Sequence, residues 1–355
     1  MAAIDRQVPR PFAVGFEASC GYGWLADELG KRADRVVVAH PGQLRLIFAG
    51  KKKNDRVDAA KLAKLLYLDL LPAVHVPSVD VRQWRRLIEM RQGLIRDRVV
   101  FKNRIRAVLR GNALACPVRH PWSKKGRAWL AGLDLGVGDR LTLDLSLMEL
   151  THLTAQVRRV EAELDRIAAS HPGVALLMTI PGVSPRTAEA VVAYIDDVRR
   201  FTRVRQVGSY FGLVPRQDQS GSVNRLGHIT RDGPATVRKL LVEASLMALR
   251  HSPTIKARFD RLVGDDPGRR KIAVVATAHY LLRVMTAMLR SGEVWRHEPK
   301  RNWMIGRKRT GQEAADGRGV PRPTAKRLLP PGRHRTVNRT VSSAAGRRRS
   351  NTGGN

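Results

Sequence analysis

Two long stretches of apolar residues, spaced by alternating steps of three and four positions, constrain the fold of this chain most. The first runs from Val81 to Leu109, with many arginines between its apolar positions, and the second from near Leu147 to Ile167. Residues three and four apart share one face of an α-helix, so each stretch predicts a long amphipathic helix. The polar segment between Asn112 and Arg140 would let the two helices pair as an antiparallel hairpin or coiled coil, although either alone would equally well cover a core.

The N-terminal residues alternate between strand and helix patterns. Runs of apolar and β-branched residues predict strands at Phe12–Phe16 and Arg35–Ala39, with helices at Gly21–Leu29 and about Asp55–Leu66. This order predicts an α/β domain with a largely parallel sheet. Two strands are few for such a sheet, which indicates that the domain lacks a part or completes its sheet from elsewhere.

Breaks in these patterns divide the chain into four predicted regions. Residues 1–78 form a partial α/β domain, 79–170 the long basic helices, 171–298 a mostly helical C-terminal domain and 299–355 a basic tail. The C-terminal domain has predicted helices at Thr187–Ile195, Pro234–Arg250 and Arg270–Leu289. The tail is rich in Arg, Gly, Pro and Ser and shows little periodicity, so it is predicted to be disordered.

The net charge points to a polyanionic partner. The chain has 65 Lys and Arg against 31 Asp and Glu, a formal charge of +34. A field of this sign attracts nucleic acid and speeds its capture. The two cysteines, Cys20 and Cys116, have neither disulfide-framework nor zinc-ligand spacing. We expect no signal peptide and no apolar segment of bilayer-spanning length, and therefore a cytoplasmic protein with no membrane partner.

Three carboxylates form the first candidate site. Glu17 follows the first predicted strand, at the sheet edge where functional groups of parallel sheets usually lie. Asp55 and Asp58 are three residues apart at a helix start and share one face. Converging acids would bind Mg²⁺, and two such ions would clamp a phosphoryl displacement. The alternative is structural, with Asp55 as a helix N-cap and Asp58 as a solvated acid in the first turn.

The second candidate site is the turn Ile180-Pro181-Gly182-Val183-Ser184-Pro185-Arg186 before an apolar helix. It is similar to the turn of a helix-hairpin-helix motif, in which exposed backbone N–H groups receive a phosphate. Gly182, Ser184 and Arg186 are the candidate nucleic-acid contacts. Such motifs usually have a second glycine where Ser184 stands, so an ordinary Pro-Gly turn is the alternative.

The third candidate site is the polar segment Pro215–Gly233. Ser220 and Ser222 lie among glycines, with three arginines nearby: Arg216, Arg225 and Arg231. A serine hydroxyl in a flexible, cationic loop would attack a phosphodiester while the arginines stabilise the developing charge. Most Ser-Gly pairs are plain turns, and that reading stays open.

Read in order, four segments resemble insertion-sequence transposases of the 110/116/902 group: VGFEASCGYGW, KKKNDRVDAAKLAKLL, LLMTIPGVSPRTAEAVVAYI and VGSYFGLVPRQDQSGSVNRLGHITRDGPATVRKLLVEAS. The resemblance implies a RuvC-like, ribonuclease-H-type domain with four acids that bind Mg²⁺. It also implies a coiled coil and a C-terminal domain with a nucleophilic serine. Members act on DNA as dimers or tetramers, and some use a structured guide RNA.

Carried over residue by residue, the resemblance makes Glu17 the second acid, Asp55 and Asp58 the last two, and Ser220 the serine of the Ser-Gly pair. The family's first acid lies on an earlier strand. Here the sixteen residues before Glu17 contain a single acidic residue, Asp5, which lies in a polar stretch. We therefore expect that the chain starts after that strand and that three of the four acids are present.

Three functions follow. The first is a Mg²⁺-dependent recombinase that forms a transient link between Ser220 and DNA. The second is a catalytically inactive remnant that still binds DNA or RNA. The third is a junction-resolving nuclease that uses only the carboxylates.

Overall fold

A computed structural model describes residues 2–47, 54–221 and 223–296. The described residues are mostly helical, with two small sheets of two strands each. The described residues all belong to one compact unit. The predicted disorder of the tail therefore falls outside the described residues, and the boundaries predicted at 78 and 170 stay predictions.

The N-terminal part has the β-α-β order that the sequence predicts. Its elements are α1 (Ala2–Gln7), β1 (Ala13–Glu17), α2 (Tyr22–Gly30), β2 (Arg35–Ala39), α3 (Pro41–Ile47) and α4 (Asp55–Tyr67). Strands β1 and β2 are parallel, with Ala13 opposite Arg35 and Glu17 opposite Ala39. Val37, Ala39, Leu44 and Leu71 form a small core that the apolar face of α4 covers. An α/β arrangement is confirmed, with a two-stranded sheet in the described part.

The two long helices pair as an antiparallel hairpin. Its elements are α5 (Val79–Gly111), α6 (Lys124–Ala131) and α7 (Val137–Ala169). At the tip, Ile105 and Leu109 near the end of α5 pack with Leu143 near the start of α7. Helix α7 begins at Val137, well before the predicted start near Leu147, because the buried seam extends back through Ser146 and Leu143.

The C-terminal part is a helical core with one hairpin of strands. Its elements are α8 (Pro172–Met178), α9 (Pro185–Ile195), α10 (Arg205–Tyr210), β3 (Pro215–Ser220), β4 (Val223–Ile229), α11 (Ala235–His251), α12 (Pro253–Val263) and α13 (Arg270–Ser291). Leu177, Ile195, Leu241 and Leu281 are fully buried in one core, which also receives Trp84 of α5. The three helices predicted here are confirmed, and the segment predicted to be a flexible loop is the β3–β4 hairpin.

One segment, Pro267–Ser291, is long and apolar enough to cross a membrane by length and composition alone. This differs from the expectation that no such segment exists. Part of its apolar face, including Leu281 and Met285, is buried in the same core as α11. A core helix passes the same test, so the feature is weak evidence for a membrane span.

Candidate active site

The three candidate carboxylates lie on two elements of the N-terminal part, Glu17 on β1 and both aspartates on α4. Glu17 is the last residue of β1, not the residue after it, and its side chain is exposed. Helix α4 packs against β1, since a Cβ at Gly15 would lie only 3.4 Å from the Leu66 side chain. The N-cap of α4 is Asn54, whose side chain accepts a hydrogen bond from the Arg56 N–H. The N-cap role considered for Asp55 is therefore wrong.

The structure does not gather these acids into a metal-binding set. Asp55 is exposed and Asp58 half-buried in the first turn of α4, and Asp58 lies 3.5 Å from the Lys61 ammonium. Among the described residues no group of three or more His, Cys, Asp or Glu side chains is placed to hold a metal ion. Carboxylate oxygens are the donors Mg²⁺ prefers, so the residue types fit the ion but their arrangement does not.

The turn between α8 and α9 is packed into the protein. Gly182 has φ of 86°, and a Cβ there would collide with the backbone nitrogen of Ala248 in α11. Ser184 is the N-cap of α9 and accepts a hydrogen bond from the Thr187 N–H. Arg186 is only 13% exposed and pairs with Asp165 and Glu189. The turn thus has clear structural roles, and a phosphate contact by Gly182, Ser184 or Arg186 stays a prediction.

A charged group is buried beside this turn. Glu189 is 1% exposed, and burial raises its pKa to about 7, against the lowering effect of the Arg186 and Arg91 guanidiniums. Arg91 itself donates to Glu161 on α7 over 2.7 Å. The charges of α5, α7 and α9 therefore meet where the hairpin joins the C-terminal core.

The predicted nucleophile lies at an exposed tip. Strand β3 is exposed along its whole length, and Ser220 is its last residue, opposite Val223 on β4. Gly221 follows with φ of 54°. Residues two apart on a strand share a face, as do directly opposed residues. Because Asp218 lies opposite Arg225, the face that carries Ser220 also carries one carboxylate and one guanidinium.

Of the arginines predicted beside Ser220, Arg225 shares its face, whereas Arg216 and Arg231 lie nearer the base of the hairpin. All three are exposed. Asp218 is the residue that the sequence interpretation missed. Its signal was available, because the i, i+2 spacing from Ser220 places both on one face once the segment is recognised as a strand.

The base of the hairpin is fixed by close backbone packing. Gly233 has φ of 66°, and a Cβ there would collide with the carbonyl oxygen of Tyr210. The Arg238 guanidinium donates to the carbonyls of Phe211 over 3.3 Å and Gly233 over 3.1 Å. The exposed strands thus project from an anchored base.

A strongly cationic chain with a long helical hairpin and an exposed serine at the tip of a hairpin of strands has the features of a protein that processes nucleic acid. Comparison with known proteins gives the class. Residues 174–260 match the model of the Transposase IS116/IS110/IS902 family, and residues 3–112 match a DEDD transposase model of the IS110 type. The chain belongs to the IS110/IS116/IS902 family of transposases.

Several curated transposases are similar to the chain. It is 29% identical to the transposase of insertion sequence element IS1111A from Coxiella burnetii, over 60% of this chain and 59% of that protein. It is 26% identical to a probable family 20 transposase from Pseudomonas aeruginosa, over 80% of this chain and 85% of the relative. It is 25% identical to the transposase of IS1328 from Yersinia enterocolitica, over 80% of this chain and 86% of that protein.

Proposed function

We propose that this protein cleaves and exchanges DNA strands during transposition of an insertion sequence, with Ser220 as the nucleophile. One observation carries the proposal: Ser220 ends an exposed strand whose same face holds Asp218 and Arg225. The family match through residues 174–260 supports it, because it covers this hairpin.

Strand exchange through Ser220 takes two steps, with the nearby arginines as counter-charges. The Ser220 Oγ attacks the phosphorus of a phosphodiester, one P–O bond to a sugar oxygen breaks, and that oxygen leaves with a proton. The protein then holds a phosphoserine ester, which the hydroxyl of a second strand attacks to form the exchanged phosphodiester and release the serine. Arg225, with Arg216 and Arg231 along the hairpin, would offset the negative charge that develops on the phosphate oxygens.

A divalent cation is the cofactor we propose, with Mg²⁺ as the natural ion. Glu17, Asp55 and Asp58 are the side chains that would hold it, and a RuvC-like identity for residues 1–78 is part of the proposal. The ion would supply charge to polarise a phosphate. The DEDD transposase match over residues 3–112 supports this assignment.

The proposed partners are DNA at the element ends and the target, a structured guide RNA, and further copies of this chain in the bacterial cytoplasm. Self-association is supported by an apolar seam on α7, where Val137, Leu141, Leu145 and Met148 are all exposed. These residues lie three and four apart, so they share one helix face. A second copy that presented the same seam would cover it. Light scattering of the intact chain should show a dimer or tetramer that Leu141→Glu with Leu145→Glu dissociates.

The experiment is a covalent-adduct assay. The intact chain is incubated with Mg²⁺, labelled DNA that spans the element end, and RNA transcribed from its flank, then denatured and resolved on a gel. We expect a protein–DNA band that Ser220→Ala abolishes and Ser222→Ala retains. The reverse pattern would move the nucleophile to Ser222.

A catalytically inactive nucleic-acid-binding remnant is the second candidate function. The arrangement of Glu17, Asp55 and Asp58 favours it, since the structure does not gather them into a metal-binding set. Tight DNA binding with no adduct in any variant would establish this function instead. Strand cleavage without an adduct, lost in Asp55→Asn and kept in Ser220→Ala, would establish a nuclease that uses only its carboxylates.

A further inference from the structure

Three cations form a ridge on α5 near the tip of the helical hairpin. Arg98, Lys102 and Arg106 are four residues apart, so their side chains follow one another along a single helix face. Like charges at this spacing destabilise a helix by a few tenths of a kcal/mol per pair, on the order of the gain from opposite charges. The arrangement therefore costs stability in the free protein unless a neighbouring group offsets it.

No protein carboxylate offsets the ridge in the part of the chain that the structure describes. None of the three cations has an acidic partner there, and Arg106 donates only to the neutral Asn103 side chain, over 3.0 Å. Burial and the charges of Arg98 and Arg106 lower the pKa of Lys102. Nearer the base of the same hairpin the charges are matched, since Arg91 and Glu161 are 2.6 Å apart.

Trp122 holds two of these cations in place. The Lys102 ammonium lies 5.4 Å and the Arg106 guanidinium 5.6 Å from the centre of its ring. Trp122 in turn packs on the tip core that contains Ile105 and Leu130. At this distance the Trp122 ring attracts both cations through cation–π contacts. The ring is engaged by the cations, so the ridge presents charge and not an open aromatic face for base stacking.

We infer that the Arg98–Lys102–Arg106 ridge binds the phosphate backbone of a nucleic acid, independently of its sequence. The ridge spans roughly 12 Å along α5, from eight residues at about 1.5 Å each. Successive phosphates of one duplex strand advance about 3.4 Å along the helix axis, so the length of the ridge covers about three and a half such steps, about one per cation. This inference rests on the proposed function only in taking nucleic acid as the polyanion. The chemistry is shared by DNA and RNA, which the test separates.

The test compares two triple variants of the full chain with equal loss of charge. The first is Arg98→Gln, Lys102→Gln, Arg106→Gln. The control is Arg166→Gln, Lys239→Gln, Lys256→Gln, in which each replaced cation has a carboxylate partner three or four residues away. Fluorescence anisotropy with a 30-base-pair duplex of arbitrary sequence, and separately with a single-stranded RNA of that length, is recorded over a series of NaCl concentrations.

We expect the ridge variant to bind at least about tenfold more weakly than the control, and its log Kd to depend on log salt with a slope smaller by about one unit per cation. Weaker binding of the ridge variant to the duplex alone, to the RNA alone or to both supports phosphate binding by the ridge and identifies its partner. Equal affinity and slope in the two variants for both ligands would overturn it. The ridge variant relieves repulsion but loses two cation–π contacts with Trp122, so its Tm should stay close to that of the control. Single Lys102→Gln serves if the triple variant unfolds.

The adduct assay at saturating DNA separates this inference from the proposed function. If the ridge acts only in binding, the ridge variant still forms the Ser220 adduct once DNA is saturating. If Ser220→Ala abolishes the adduct but the ridge variant binds nucleic acid as tightly as its control, the proposed function is supported and the inference about the ridge is wrong.

Discussion

Glu189 lies in the core, 1% exposed, with its Oε1 3.3 Å from the Nη1 of Arg186, and the pair joins α9 to the helical hairpin through Asp165. The second carboxylate oxygen of Glu189 has no hydrogen-bond partner among the described residues. An incompletely satisfied carboxylate is expensive to bury, which is why the pKa rises despite the nearby guanidinium.

The first prediction is a pH-dependent penalty from Glu189. Its pKa is about 7 in the folded chain against 4.5 as the ordinary value, so the folded state binds the proton more tightly. The protein therefore loses stability as the pH rises from about 4.5 to 7, by roughly 3 kcal/mol at 1.36 kcal/mol per pH unit. Glu189→Gln does not titrate, so its free energy of unfolding, from urea denaturation, should improve relative to wild type across this window.

The matched control is Glu163→Gln on α7. Glu163 is solvent-exposed, and its hydrogen bond with Arg166 lowers the pKa of Glu163. A carboxyl group with a lowered pKa stabilises the folded state at pH values above its ordinary pKa, and this stabilisation is lost as the pH falls. The control should therefore show no gain relative to wild type between pH 5 and 8. A Glu189→Gln variant with the wild-type pH profile would contradict the first prediction.

The second prediction concerns the anchor of the β3–β4 hairpin. Gly233 has a positive φ and no room for a Cβ beside the Tyr210 carbonyl. Gly233→Ala should lower the free energy of unfolding by about 2 kcal/mol or more, since a strained backbone and a collision add. Gly227→Ala in β4 is the control, because a Cβ there meets its nearest atoms only at 3.8 Å. Thermal unfolding of the two variants decides, and equal Tm values would show that the anchor is not as tight as the structure has it.

Much of the fold can be predicted from helical periodicity, because the buried apolar residues of the long helices recur every three or four positions. The spacing of apolar residues predicts α5 and the later part of α7. It does not predict the first turns of α7, where leucines alternate with polar residues from Leu141 to Leu147 and only Leu143 and Ser146 are buried. Here the packing of α6 and the tip of α5 decides which side of the helix is buried, and that information lies outside the local sequence.

The candidate site was less accessible from sequence for a similar reason. The Gly-rich segment around Ser220 resembles a loop by composition, yet it forms a hairpin with both faces largely exposed. A strand without a buried face shows no alternation of apolar and polar residues, so periodicity fails there. The role of Arg186 was also hidden, because its partners Asp165 and Glu189 come together only through tertiary packing.

The third prediction concerns a polar link between three helices. Glu89 on α5 accepts hydrogen bonds from the Tyr194 hydroxyl at 2.6 Å and the Thr236 hydroxyl at 2.7 Å. Burial and this carboxylate raise the pKa of Tyr194. Tyr194→Phe should lower the free energy of unfolding by about 1.5–3 kcal/mol, the usual value of a hydrogen bond to a charged group. In urea denaturation, combining Tyr194→Phe with Glu89→Gln should cost less than the sum of the single changes.

Tyr67→Phe is the control for the third prediction. The Tyr67 ring is 89% exposed at the end of α4, so removing its hydroxyl should leave stability unchanged. Full additivity of the Glu89 and Tyr194 changes would show that the two side chains are not coupled.

The fourth prediction concerns the cation at Glu17, Asp55 and Asp58. Mg²⁺ is often held by one or two carboxylates together with substrate phosphates, and the described residues alone do not gather three ligands. The intact chain should therefore bind Mn²⁺, a spectroscopic substitute, weakly by itself and at least about tenfold more tightly with DNA. Water-proton relaxation titrations measure this, with DNA alone subtracted. Asp55→Asn should remove the gain, whereas Asp80→Asn, in the first turn of α5, should retain it. If Asp55→Asn lowers only the Tm, by weakening the start of α4, then this acid stabilises a helix and holds no metal.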